Sequence, residues 1–208
     1  LVFTHGGISI GEDGGSHQCI EDFALMRVLP NMTVIAPCDA AQTKKAIRAA
    51  ADMQGPVYIR LCRPNAEDIT TEETPFVPGK ANLLRDGEDA CIVSCGLMTA
   101  KALQAAKLLE EKGISAAVVH MHTIKPLDNE IILNMHRRVK AMLTMEEHSV
   151  IGGLGSAVAS VIAGVPGAKF GMIGINDVFG ESGKPDELFE AFGLTAEHAV
   201  KEVTAMLS

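Results

Sequence analysis

Positive charge is scarce in this chain. Eighteen Lys and Arg face 26 Asp and Glu, a formal net charge of −8. That balance argues against a nucleic-acid partner or an anionic membrane surface, since both call for a basic face. Trp is absent, Tyr occurs once, and no apolar run is long enough to span a bilayer. No secretory leader is recognisable. The cysteines are odd in number (Cys19, Cys38, Cys62, Cys91 and Cys95) and mostly sit in apolar runs. They read as buried thiols in a reducing compartment, the cytoplasm by default, rather than as a disulfide framework. Cys91 and Cys95, four apart within an apolar strand, make a poor zinc motif.

What is present is an ordinary globular composition: 208 residues, 47% hydrophobic and 21% charged. That length suits one large domain or two small ones. The charge is unevenly placed. Residues 1–65 carry six Lys/Arg and six Asp/Glu, whereas residues 66–208 carry twelve against twenty and hold the whole net charge. Two units with different tasks are expected.

Chemistry is densest near the start, in Thr4-His5-Gly6-Gly7-Ile8-Ser9-Ile10-Gly11-Glu12-Asp13-Gly14-Gly15-Ser16-His17-Gln18. These fifteen residues hold five glycines, two histidines and two acids, directly after the apolar Leu1-Val2-Phe3. Glycine at that density lets backbone approach a ligand, and histidine is the side chain most easily used as acid or base near neutral pH. A short apolar strand running into such a loop places it at the strand's carboxyl end, where open α/β sheets bind ligands. The sequence begins directly on these strand residues, so the upstream part of the first domain is expected to lie outside it.

Further along, Ile20–Leu29 reads as a short helix, Met32–Ala36 as a buried strand, and Ala40–Met53 as a helix with Asp39 as its N-cap. Val57–Leu61 is the next strand, which puts Arg63 just past a strand end, as His5 is. Residues 66–80 are acidic and carry Pro75 and Pro78, and read as a linker between residues 1–65 and 81–208. Beyond it, strands at 90–94, 114–120, 139–145 and 169–175 alternate with helices at 98–112, 128–135 and 152–163, and two helices divided near Gly193 close the chain. This βαβ alternation predicts a doubly wound, mostly parallel sheet.

Thr4-His5, Gly11-Glu12-Asp13-Gly14, Ser16-His17-Gln18 and Glu21, followed by Leu29-Pro30-Asn31-Met32, Pro37-Cys38-Asp39 and Leu61-Cys62-Arg63-Pro64-Asn65, resemble the pyrimidine-binding domain of transketolases. The chain most resembles the carboxyl-terminal subunit of transketolases that are split over two chains. The fold this implies is α/β: a truncated thiamine-diphosphate (pyrimidine) domain with a parallel sheet, then a doubly wound domain like the transketolase carboxyl-terminal one. The activity implied is transfer of a two-carbon ketol unit between sugar phosphates, as in pentose phosphate metabolism. Thiamine diphosphate and Mg²⁺ are the implied cofactors. The metal and the diphosphate are held by a transketolase amino-terminal subunit or domain, in a homodimer or heterotetramer.

The same resemblance assigns roles. His17 is the expected catalytic residue, beside the reactive carbon of the thiazolium, where imidazole can donate to a carbonyl oxygen or accept a proton. Asp13 is expected to bind a substrate hydroxyl, and His5 with Arg63 to hold the substrate's terminal phosphate. Residues that would bind the cofactor, the family's glutamate and stacking aromatics, fall upstream. No Gly-Asp-Gly followed by an Asn pair occurs. Related alternatives are deoxyxylulose-phosphate synthase, which more often shows His-His where this chain has His17-Gln18, and the beta subunit of the pyruvate dehydrogenase first component. A non-catalytic assembly module is the alternative from another class.

Three other clusters read as structural. Gly152–Ser156 looks like a dinucleotide fingerprint but lacks the acid about twenty residues on, so close helix–strand packing is the better account. Glu146-Glu147-His148 reads as structure or interface. His120 and His122 share a strand face without a third ligand and read as non-metal.

Overall fold

The computed structural model describes residues 1–208. Two sheets organise the chain. The first has four strands in the order β1-β3-β2-β7: β1 Val2–Phe3, β3 Val57–Arg60, β2 Thr33–Ile35 and β7 Thr123–Lys125. The first three pair in parallel, with Phe3 opposite Arg60, and β7 pairs antiparallel to β2. The second sheet has five strands in the order β4-β6-β5-β8-β9. These are β4 Asn82–Arg85, β6 Ala116–His120, β5 Ala90–Ser94, β8 Ala141–Ser149 and β9 Lys169–Ile175. Its inner pairings are parallel and β4 is an antiparallel edge.

The helices are α1 Asp22–Val28, α2 Ala40–Asp52, α3 Met98–Glu110, α4 Asn129–Arg138, α5 Leu154–Ile162, α6 Pro185–Ala191 and α7 Ala196–Leu207. Asp39 caps α2 by accepting from the Gln42 amide at 2.8 Å. α3, α6 and α7 pack on one face of the second sheet around Leu109, Leu143, Phe189 and Val203. α4 and α5 take the other face. There the core also recruits Phe23, Val34 and Tyr58 from the first segment, so one apolar cluster joins the two sheets. Strands buried on both faces in this way read as near-continuous apolar runs, as β5 and β6 do.

Two strands, β4 and β7, lie where no strand is expected from the sequence. β7 belongs by sequence to the second segment yet extends the first sheet. The connector 66–80 has no regular structure but is tied down. Lys45 Nζ donates to the carbonyls of Thr71, Glu72 and Thr74, and Asp39 accepts from the Ile69 amide and the Thr70 amide and hydroxyl. No helix is long and apolar enough to cross a membrane.

Candidate active site

β1 and β3 run side by side and in parallel, so their carboxyl ends emerge together. His5 follows one end and Arg63 the other. Between them the chain makes a closed loop. Gly6 donates to the Leu61 carbonyl at 3.1 Å and Gly7 to the Cys19 carbonyl at 2.7 Å, which brings the loop's two ends to the same place. The tip is a 3-10 turn over Gly11–Asp13. Gly7, Gly11 and Gly14 all hold positive φ angles, of 85°, 85° and 75°, a conformation for which glycine is the low-cost residue. His5 also has positive φ, 66°, which is uncommon for a residue with a β-carbon.

All four candidate side chains, His5, Asp13, His17 and Arg63, are exposed. The structure brings two of them together: an Arg63 terminal nitrogen donates to Asp13 Oδ2 at 2.8 Å and to the Ile10 carbonyl at 2.6 Å. The two histidines bond only to their chain neighbours. His5 Nδ1 lies 2.6 Å from Thr4 Oγ1, and His17 Nδ1 lies 3.0 Å from Ser16 Oγ. With Nδ1 engaged, Nε2 of His17 is left for a ligand. The arrangement offers a paired guanidinium and carboxylate past the carboxyl ends of β1 and β3, with two exposed imidazoles on the same loop as the carboxylate, groups that suit a polyhydroxylated anionic ligand.

Beneath this surface lies a charged cluster in which Glu146, Glu147 and His148, read from the sequence as structure or interface, meet Arg60, Asp22 and Tyr58, which the sequence did not mark. Arg60 is 7% exposed. Its Nε is 3.4 Å from Asp22 Oδ2, a terminal nitrogen donates to the Glu147 carbonyl at 2.7 Å, and the guanidinium lies 4.5 Å from the centre of the Phe23 ring. Tyr58 donates to the same Asp22 oxygen at 2.7 Å. Burial opposes the Arg60 charge, but the Asp22 and Glu147 carboxylates overcome it and raise the pKa. His148 stacks on Phe23, with ring centroids 5.0 Å apart. Burial, with Arg60 nearby, pushes His148 down to about 4. It is therefore neutral, donating through Nδ1 to the Ser149 carbonyl at 2.6 Å and accepting at Nε2 from the Ala24 amide at 3.4 Å.

Glu146 and Glu147 follow the same logic. Glu147 accepts from the Ser9 amide at 2.6 Å, and burial still raises its pKa. Glu146 accepts from the Leu154 and Gly155 amides at 2.6 and 2.7 Å, at the amino terminus of α5. Burial pushes it up to about 7 although those amides favour the anion. A β-carbon on Gly153 would lie 2.0 Å from Glu146 Oε2, and one on Gly155 would lie 2.6 Å from Met172 Sδ. The glycines after β8 thus serve close helix–strand packing. Nothing in the sequence pairs Arg60 with Asp22 or Glu147, since 38 and 87 residues separate them; only the packing of β3, α1 and β8 brings them together.

His120 is fully buried between Gln42 Oε1 at 2.7 Å and Thr99 Oγ1 at 2.9 Å. No three His, Cys, Asp or Glu side chains converge as a metal site.

Family models match this chain over almost its whole length. The transketolase pyrimidine-binding domain matches residues 1–68 and the transketolase carboxyl-terminal domain residues 79–199. The chain is 50% identical over 206 residues to a protein of Methanocaldococcus jannaschii named "Putative transketolase C-terminal section", covering 98% of this chain and 64% of that one. It is 36% identical to human transketolase, covering 34% of that protein. It is 35% identical to 1-deoxy-D-xylulose-5-phosphate synthase of Desulforudis audaxviator, covering 32% of it. A split-gene transketolase solved as an inactive beta4 tetramer superposes with a TM-score of 0.91 at 49% identity, covering 99% of this chain and 66% of that one. This chain therefore spans under two thirds of the length of these curated relatives. With two domain models in order and half its residues shared with a transketolase section, the chain belongs to the transketolase family.

Proposed function

We propose that the chain forms the substrate-facing wall of an enzyme that transfers a two-carbon ketol unit between sugar phosphates. It would work with a transketolase amino-terminal subunit or domain that holds the diphosphate of thiamine diphosphate and its Mg²⁺. The observation that carries the proposal is the pairing of Arg63, just past β3, with Asp13 in the loop after β1 that also carries His5 and His17, all four side chains being exposed. A donor set of this kind fits a sugar phosphate. No three His, Cys, Asp or Glu side chains converge among them.

Bound at such a wall, thiamine diphosphate supplies the electron sink for the transferred carbon unit. The residues of this chain bind and move protons. Arg63 exchanges its Asp13 contact for the substrate's terminal phosphate, with His5 as a second donor. Asp13, so released, accepts from a sugar hydroxyl. His17 donates through Nε2 to the substrate's carbonyl oxygen and takes up a hydroxyl proton on the reverse step.

The test is reconstitution. Mixing this chain with a diphosphate-binding transketolase subunit, thiamine diphosphate and Mg²⁺ is expected to yield ketol transfer from a ketose phosphate to an aldose phosphate. A rate no higher than the partner's alone would leave the chain as an assembly module.

A further inference from the structure

The loop that carries Asp13 and His17 is tied to its own domain by Arg63, which bonds Asp13 and the Ile10 carbonyl, and also by a distant part of the chain. That part is residues 177–185, which run from just after β9 into the first residue of α6 and enter from the far end of the sequence. Gln18 is the bolt. It is 8% exposed, and its Nε2 donates to the Ile8 carbonyl at 3.2 Å and to the Glu181 carbonyl at 2.8 Å. Both amide hydrogens are used, one inside the loop and one across to the distant segment.

The packing around this bolt leaves no slack. A β-carbon on Gly180 would lie 1.6 Å from Gln18 Oε1. One on Gly15 would lie 2.5 Å from the Gly180 carbonyl oxygen, and one on Gly14 would lie 2.3 Å from Ser182 Oγ. At these positions a missing side chain admits the opposing strand of chain, so the glycines are interlocked across the contact. Asp13 and Ser16 flank Gly14 and Gly15, and His17 precedes Gln18. Displacing residues 177–185 therefore displaces the groups that face substrate.

We infer that Gln18, clamped by Gly180 and Glu181, is a positioning residue that sets the placement of His17 and Asp13, and that the carboxyl-terminal segment acts in the reaction through this clamp. The inference rests on the ketol-transfer reading for its catalytic half only. The mechanical half is read without any substrate.

Two variants test it in the reconstituted enzyme. Gln18→Glu keeps the shape but sets an acceptor against two carbonyl oxygens. Gly180→Ala drives a methyl group into the Gln18 amide from the other side. Each is expected to lower kcat roughly tenfold to a hundredfold, with the affinity for thiamine diphosphate unchanged and the assembly still folded at the assay temperature, so that the lower melting temperature expected from the overpacking does not account for the loss. The two losses are expected to be non-additive, because both break one contact. Gln18→Glu is also expected to regain activity relative to wild type as pH falls, when the introduced carboxyl is protonated and can donate one bond. Wild-type kcat in both variants, or losses that track melting temperature, would overturn the inference.

Amide exchange on the chain alone supplies the second readout. The His17 amide donates to the Gly14 carbonyl at 2.9 Å, and Gly180→Ala is expected to speed its exchange while leaving β5 and β8 protected. Should the wild-type assembly transfer no ketol unit, the functional reading falls and exchange alone decides the clamp. Faster exchange at His17 then supports it, and wild-type exchange overturns it.

Discussion

Two arginines three residues apart on the same strand end have opposite fates. Arg60 is buried against Asp22, with side-chain exposures of 7% and 4%. Arg63 meets Asp13 in the open, at 44% and 46%. The chemistry of the two pairs is the same and the surroundings differ. Water screens the outer pair, so it contributes little to stability and can exchange partners with a ligand. The inner pair is shielded and cannot be released without leaving a bare charge in an apolar core. The inner pair ties β3 to α1, while Arg60 also donates to the Glu147 carbonyl of β8 in the second sheet; the outer pair faces solvent.

The largest effect is expected from breaking the inner pair. Arg60→Leu leaves Asp22 and the Glu147 carbonyl without their cation and should cost about 3–5 kcal/mol of unfolding free energy, read by chemical denaturation. A loss no greater than that of Arg63→Leu would erase the contrast. Next in size is His17→Ala in the reconstituted enzyme. Turnover is expected to fall roughly a hundredfold or more while the denaturation midpoint stays in place. An unchanged rate would take His17 out of the chemistry.

Acid tests the buried ionisable groups, His148 and Glu146 of the inner cluster together with His120 and His122 outside it, in a third way. Burial holds His120 down to about 3, and His122 and His148 down to about 4, below the ordinary value near 6.5. Depressed histidines contribute stability above that value, and it is lost as pH falls through 6.5 toward 4, because the unfolded chain then binds protons the folded chain does not. Glu146, raised to about 7, works in the opposite sense: its contribution is complete below about 4.5 and is lost as pH rises toward 7. Three histidines against Glu146 and Glu147 predict a net loss on acidification, about 1.4 kcal/mol per pH unit for each net proton. Glu146→Gln removes one opposing group and should steepen that loss. A flat profile from pH 6.5 to 4.5 in the Glu146→Gln variant would contradict the neutral histidines.

The smallest effect concerns the outer pair. Arg63→Ala should change stability by no more than about 1 kcal/mol, yet weaken phosphorylated acceptors more than unphosphorylated ones in KM. Equal weakening of both would remove Arg63 from phosphate binding.

The loop was visible in the sequence, and Glu146-Glu147-His148 read there as structure or interface; the pairing of Arg63 with Asp13 and the place of Arg60 and Asp22 in the buried cluster were not visible. Glycines, histidines and acids crowd into residues 4–18, and a local cluster needs no fold to be noticed. Arg60 sits in an apolar strand with nothing nearby in sequence to mark it. Its partners come from α1 and from the end of β8. The strands β4 and β7 escaped for a related reason. Each is three or four residues long and partly polar, and each is made a strand by the edge it joins rather than by its own pattern. Gln18 was legible as part of a motif, while its bond to Glu181, 163 residues away, was not.

The sequence by itself determined the alternation of apolar strands and amphipathic helices, the placing of His5 and Arg63 at strand ends, and the glycine-rich loop. These follow from local periodicity, turn chemistry and backbone freedom, which act over a few residues. Only the tertiary structure decided that β7 would extend the first sheet, that Arg60 would be neutralised by Asp22, and that residues 177–185 would grip the loop bearing His17. Those outcomes depend on which distant surfaces can exclude water together, and burial of that kind is a property of the assembled chain.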